Sequence, residues 1–352
     1  MAQGGQLSPG TVVGDDYQVI ARIGVGGMGE VYRVMQLSTG KERALKVPLQ
    51  EAVRDDLGLR RFKEEAKAVA SIASDHITEV IGAGTDPKIG LPWIAMVLLH
   101  GQSLEDRIGS GWTPSDADIR ALLDQLFDVM TKAHAAGIVH RDLKPENIFI
   151  EETMRRDVWF TVKVLDFGLA KVLPQGEKAG KLSQPIGSPL CISPEQLGGG
   201  SGITAATDVW ALGLLVFYLI TGKYYWLADP KDINLLVPEI LSIQHPAASK
   251  RAQEKGSARP LPNGFDDWFG RCVHHDAEKR WKDAGAAWES LARLLEADAK
   301  ESLSATAPQG TQVVTVPPSP PSGLTHPGTR PCGCQRWCRG CAGPQGVLGS
   351  WR

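Results

Sequence analysis

No run of apolar residues in this chain is long enough to cross a bilayer. The longest strongly apolar stretch, Val209–Ile220, suits a buried helix instead. Neither sign of charge is in excess: the formal net charge is -2, which gives no pull toward nucleic acid or anionic lipid. Cysteine is scarce in the body. Of six, only Cys191 and Cys272 lie outside the last segment, and they are far apart, so a disulfide framework is not expected there. Met1–Asp16 lacks a basic start followed by an apolar run, so no signal peptide is read and a cytosolic location is expected. Aromatics make up 7% of the chain. They are scattered, as packing residues are, and do not form a stacking platform for bases. Acidic residues and lysine are absent after Glu301, and Pro, Ser, Gly and Thr dominate Ala305–Pro331. Such a segment cannot bury enough apolar surface to fold alone. Residues 299–352 are therefore expected to be a disordered tail. Its Cys332, Cys334, Cys338 and Cys341 could bind Zn²⁺ through four thiolates. However, the spacing is not that of paired Cys-x-x-Cys knuckles and little nearby could form a core. A tail without a selected role fits as well.

What remains, residues 17–298, is long enough for a substantial core. Its first part reads as strands: Tyr17–Ile23, Glu30–Leu37 and Arg43–Pro48, with a Ser38-Thr39-Gly40 turn between the last two, and later Leu91–Leu99. A helix over Arg61–Ala73 is predicted by Phe62, Ala66, Val69, Ala70 and Ala73 at helical spacing. After Gly101 helices dominate, over Asp118–Ala136, Val209–Thr221 and Ala284–Leu295. Strands first and helices later mean an α+β fold. Met1–Asp16 is expected to be a flexible N-terminus.

The glycine-rich run Ile23-Gly24-Val25-Gly26-Gly27-Met28-Gly29-Glu30-Val31 contains G-x-G-x-x-G. Alone it could open a helix in a dinucleotide fold. Here it lies between two strand-like stretches, which suits a hairpin whose backbone N–H groups cover phosphates. Glycine permits that approach because a side chain would block it. Lys46, on the next strand in Ala44-Leu45-Lys46-Val47, is either a surface lysine or a ligand for phosphate oxygens. The second role needs an anion to hold it. Glu65 is the candidate, preferred over its neighbour Glu64 because it lies one turn before Val69 and beside Ala66.

Downstream comes His140-Arg141-Asp142-Leu143-Lys144-Pro145-Glu146-Asn147, then Asp166-Phe167-Gly168, then Ser193-Pro194-Glu195. Asp142 is placed to accept the proton of an attacking hydroxyl. Lys144 can neutralise charge growing on a transferred phosphoryl group. Asn147 and Asp166 offer oxygen atoms to a hard divalent cation. His140 is read as a structural hydrogen-bonding residue, not a general base. His274-His275 is read as helix packing, not a metal site.

At these residues the chain resembles the eukaryotic-type Ser/Thr protein kinases, and most of all their bacterial branch, over roughly Tyr17–Leu295. The resemblance implies a two-lobed fold. The β-rich N-lobe (17–97) carries one key helix, and the C-lobe (98–298) is mainly helical. It implies ATP and Mg²⁺, or Mn²⁺, as cofactors. The loop Ile23–Val31 would cover the phosphates, and Val31 and Ala44 would sandwich the adenine. Lys46 would pair with Glu65. Met96 would be the gatekeeper, with Leu98 in the hinge. Val97 stands where the family often has Glu. Asp142 would be the catalytic base, with Asn147 and Asp166 on the metal. Asp208 would brace the catalytic loop, and Arg280 would pair with Glu195. Lys144, together with Ser188 in place of the usual Thr, points to Ser/Thr acceptors. Arg141 would bind a phosphate on the activation loop. Between Asp166 and Glu195 there is no Thr, and Ser183 is the candidate for autophosphorylation. The partners implied are protein substrates with Ser or Thr acceptors, and a second copy of the chain for phosphorylation in trans. Two rivals are a kinase-like scaffold and a small-molecule kinase. The first usually lacks Lys46, Asp142, Asn147 or Asp166, all present here. The second is disfavoured by the activation segment between Asp166 and Glu195.

Overall fold

The computed structural model describes residues 6–26, 29–49, 72–153, 158–167, 189–199 and 202–306. Its first sheet has six antiparallel strands: β1 (Val12–Val13), β2 (Tyr17–Gly26), β3 (Gly29–Gln36), β4 (Lys41–Pro48), β5 (Val80–Thr85) and β6 (Pro92–Val97). They lie in the order β1-β2-β3-β4-β6-β5.

The register sorts residues by face. Residues opposite each other across an antiparallel pair share a face, and neighbours along a strand do not. Tyr32 pairs with Leu45, which pairs with Ala95. These three, with Val34 and Val47, are fully buried in one core. Val31 pairs with Lys46, and Lys46 with Ile94, while Ala44 pairs with Met96. Val31, Ala44, Lys46 and Met96 therefore share the opposite face.

Residues 6–16, expected to lie outside the folded body, pack onto this sheet. Leu7 and Val13 are buried in its core with Tyr17 and Val19. Backbone bonds run from Gly10 N to Val19 O and from Val19 N to Thr11 O, both at 2.8 Å. The segment is polar at its start, which is why its composition reads as loose. Two buried side chains and strand pairing hold it.

Strand β5 has no clear sequence signal, because Gly82 and Gly84 interrupt the alternation. Gly84 is required there. A Cβ on Gly84 would come within 2.7 Å of the Trp93 ring, so the indole packs where a side chain would otherwise stand.

A second sheet, β7 (Gly101–Ser103), β8 (Ile148–Glu152) and β9 (Phe160–Val164), lies among helices. Those helices are α1 (Leu104–Gly109), α2 (Asp116–Ala135), α3 (Pro194–Leu197), α4 (Ala205–Thr221), α5 (Ile233–Ile240), α6 (Ala248–Glu254), α7 (Phe265–Cys272) and α8 (Ala284–Thr306). Helix α2 starts at a capping box between Ser115 and Asp118. It buries Ile119, Leu122, Leu123, Leu126, Val129 and Met130. Truncating one of these, Leu126→Ala, would cost about 2–5 kcal/mol. Helix α4 is buried on nearly every side and ends at Gly222, whose φ of 66° suits glycine. Helix α8 runs to Thr306, past the expected boundary at 298. Among the described residues, no helix is long and apolar enough to cross a membrane.

Candidate active site

Lys46 is 4% exposed. Its Nζ lies 2.8 Å from Oδ1 of Asp166. This pair joins the first sheet to the loop after β9. Asp166 lies deep in the site, yet 46% of its side chain remains open to solvent. Burial pushes its carboxyl up, but the charge and hydrogen bond of Lys46 outweigh that and hold it below the usual range.

The loop after α2 is tied to the same place. Asn147 Nδ2 donates to Asp142 O at 2.7 Å and to Asp142 Oδ2 at 3.0 Å. Lys144 Nζ lies 3.1 Å from the same Oδ2. With the amide nitrogen committed to Asp142, the amide oxygen of Asn147 is left for a cation. Leu165 N donates to Asn147 O at 2.8 Å, which fixes Asn147 next to the residue preceding Asp166. The donor set, one carboxylate and one amide oxygen, fits a hard divalent cation.

Two site residues hold strained backbone. Arg141 has φ 67° and Asp166 has φ 53°, a region costly for residues with a Cβ. Asp208, buried on α4, pins the first of these. Its Oδ2 accepts from His140 N at 2.7 Å and its Oδ1 from Arg141 N at 2.8 Å. His140 spans the gap to the second. Its Nδ1 accepts from Asp142 N at 3.2 Å, so its Nε2 carries the proton and donates to Leu165 O at 2.8 Å. Burial pushes the His140 pKa down, so the ring stays neutral. It packs against Phe167 with centroids 4.7 Å apart. With both ring nitrogens committed, His140 has a structural place.

The structure therefore brings Lys46, Asp142, Lys144, Asn147 and Asp166 together and puts Val31, Ala44 and Met96 on the same sheet face as Lys46. Gly24 and Gly26 meet no close atom where a Cβ would stand. Gly29 differs, because a Cβ there would come 2.4 Å from Val47 O. Gly24 and Gly26 leave room above the hairpin, whereas Gly29 lets β3 approach β4. Glu30, expected among nucleotide contacts, belongs to the opposite face. It is 5% exposed and bound to Gln6, Arg22 and Tyr32. Glu195 and Arg280 form a bidentate pair at 2.8 and 2.9 Å. Gly27, Met28, Glu65, Ser183 and Ser188 lie outside the described residues, as does the expected helix up to Ser71.

Three residues of the site carry no signal in their own sequence neighbourhood. Gln196 Nε2 donates to Arg141 O at 2.7 Å. His134 Nε2 donates to Asp208 Oδ2 at 2.9 Å while its Nδ1 accepts from Ala284 N at 3.1 Å. His76 O accepts from Val164 N at 2.9 Å, joining the loop before β5 to β9.

The site thus lies where a sheet packs on a helical body, with this lysine–carboxylate contact at the junction. The chain belongs to the protein kinase family, whose protein kinase domain matches residues 17–291. It is 36% identical to the serine/threonine-protein kinase pkn3 of Myxococcus xanthus over 62% of this chain and 40% of that protein. It is 29% identical to the probable serine/threonine-protein kinase PknB of Lactococcus lactis, over 73% of this chain and 41% of that protein. The chain thus spans about 40% of the length of these curated relatives. Among solved structures, the Mycobacterium tuberculosis PknI kinase domain has the same fold. Its TM-score is 0.59 at 22% identity, over 82% of this chain and 99% of that one.

Proposed function

We propose that this chain is an ATP-dependent Ser/Thr protein kinase acting with a divalent cation, Mg²⁺ or Mn²⁺. The contact between Lys46 and Asp166 carries the reading. It sets a fixed cation beside a carboxylate, next to a hairpin whose glycines leave room for phosphates. Lys46 holds phosphate oxygens of the nucleotide. Val31 and Ala44 lie against the adenine, with Met96 and Leu98 at its edge. Asn147 and Asp166 hold the metal, which, when bound, neutralises phosphate charge and orients the transferring group.

Asp142 orients the acceptor hydroxyl and takes its proton as the new P–O bond forms and the bond to the ADP oxygen breaks. Asn147 and Lys144 hold the Asp142 carboxylate in place. Lys144, at 3.1 Å from it, is also close enough to meet charge growing on the transferred group. The Lys-Pro-Glu-Asn continuation and Ser188 favour Ser and Thr as acceptors. The Arg141 Nε is buried with no hydrogen-bond partner among the described residues. From the resemblance, Arg141 receives a phosphate on the activation segment, with Ser183 as the candidate carrier. A second copy of the chain is the proposed donor of that phosphate in trans.

The test is incubation with γ-labelled ATP, Mg²⁺ and a general Ser/Thr protein acceptor, followed by phosphoamino-acid analysis. Label on Ser and Thr that Asp142→Asn reduces at least a hundredfold is expected. Label on Tyr alone, or equal labelling by the variant, would overturn the reading. Mapping of the labelled chain would show whether Ser183 carries phosphate.

A further inference from the structure

We propose that the N-terminal segment Gln6–Val13 sets the position of the glycine-rich hairpin, with Glu30 as the positioning residue through which it acts. This rests on the reading that the hairpin covers the phosphates of ATP.

Glu30 follows Gly29 directly at the start of β3, and in the hairpin Gly29 faces Gly26. Three donors from three parts of the chain converge on its carboxylate. Arg22 Nη1 of β2 donates at 2.6 Å, Gln6 N at 2.8 Å, and the Tyr32 hydroxyl from further along β3. The Tyr32 oxygen in turn accepts from Leu7 N at 3.0 Å. Gln6 Nε2 reaches Pro48 O, at the end of β4, at 3.3 Å. Leu7 anchors the segment in the sheet core at 6% exposure. The base of the hairpin and the end of β4 are thus held by one short segment that touches neither the Lys46 face nor Asp166. Burial pushes the Glu30 carboxyl up, but the hydrogen bonds from Tyr32, Gln6 and Arg22 more than offset this. Glu30 is therefore a carboxylate at neutral pH, and each of these bonds is charge-assisted.

Strand neighbours move together. A shift of Glu30 carries Gly29 and Val31 with it, and Gly26 and Gly24 across the hairpin. Misplacement on the order of 1 Å is enough to lose about a hundredfold in a positioned reaction. The nucleoside part of ATP meets the moving strand only at Val31 and keeps Ala44 on β4, whereas the phosphates meet the glycines of the hairpin, so adenosine should lose less than ATP.

The test uses the full chain with Glu30→Gln, with Gln6→Pro, and with both. Gln6→Pro removes the backbone donor to Glu30, together with the side-chain bond from Gln6 Nε2 to Pro48 O, and leaves every strand residue intact. Affinity for ATP and for adenosine is measured with Mg²⁺ by calorimetric titration, and folding by thermal melting. Each variant should bind ATP about tenfold more weakly while adenosine changes less than about twofold. The double variant should lose less than the sum of the two single losses, because the bond from Gln6 N to Glu30 is common to both. Unchanged ATP affinity in Gln6→Pro would overturn the proposal. So would an equal loss for ATP and adenosine, which would mean a general loosening of the sheet. If Glu30→Gln does not fold, Gln6→Pro decides alone. Failure of the unaltered chain to bind ATP would overturn the nucleotide reading, and this inference with it.

Discussion

Replacing Arg280 with methionine should cost about 3–5 kcal/mol of stability. Arg280 is fully buried, and all five of its N–H groups are used. Two go to Glu195, at 2.8 and 2.9 Å, and the others to His274 O at 2.7 Å, Ala206 O at 3.0 Å and His275 O at 3.3 Å. The guanidinium also lies 4.9 Å from the centre of the Trp210 ring. Methionine refills most of the volume but leaves three carbonyls and a carboxylate without these donors. Glu195 keeps Thr207 Oγ1 at 2.8 Å, which is too little for a charge whose side chain is 13% exposed. At about 2–4 °C per kcal/mol for a domain of this size, the midpoint of melting should fall by roughly 6–20 °C. Thermal and urea unfolding, followed by circular dichroism, measure it. The sign with pH follows from Glu195. Burial pushes its carboxyl up, but the hydrogen bonds and charge of Arg280 hold it low. The stabilisation is therefore present above the ordinary glutamate range and is lost as pH falls through the depressed value. A loss below about 1 kcal/mol at neutral pH would mean that the pair lies in water and is not the buried contact described.

Gly29→Ala and Gly26→Ala should separate stability from affinity. The first forces a Cβ against Val47 O and should lower stability by about 1–3 kcal/mol. The second should leave melting unchanged and weaken ATP. Asp208→Asn presents an amide to two or three N–H donors and frees Arg141 from its left-handed conformation. Phosphoryl transfer should fall on the order of a hundredfold, with a measurable drop in melting temperature. His140 is held neutral by burial, with its pKa pushed down. The unfolded chain takes up that proton first, so stability should fall as pH drops below about 6.5. His140→Asn should flatten that slope in pH-dependent urea titrations.

The parts legible in the sequence were those with local patterns. The alternation of Tyr32, Val34, Leu45 and Val47 marks two strands, and Ile119, Leu122, Leu126 and Met130 mark α2. The same holds for the site: Lys46, Asp142, Asn147 and Asp166 come from short motifs, and the fold brings them together. The missed parts depend on distant partners. Strand β5 exists because Trp93 packs over Gly82 and Gly84. Residues 6–16 are ordered by Tyr32, Glu30 and Val19, none of which their own composition reveals. Gln196 and His134 look like ordinary polar residues until α3 and α4 are in place. The sequence correctly paired Glu195 with Arg280, but only by resemblance, because nothing local links residues 85 apart. Glu30 shows the limit of a motif. Its place in the glycine-rich run suggested a ligand contact, and strand alternation turns it the other way.

The claim on which all else depends is that Lys46 and Asp166 meet at one triphosphate, with Asp166 and Asn147 on its metal. Titration of ATP with and without Mg²⁺ into the unaltered chain, Lys46→Met and Asp166→Asn tests it most directly. Mg²⁺ should strengthen ATP binding in the unaltered chain and in Lys46→Met, and Asp166→Asn should abolish this gain while adenosine binding stays the same. A gain from Mg²⁺ that survives intact in Asp166→Asn would contradict it.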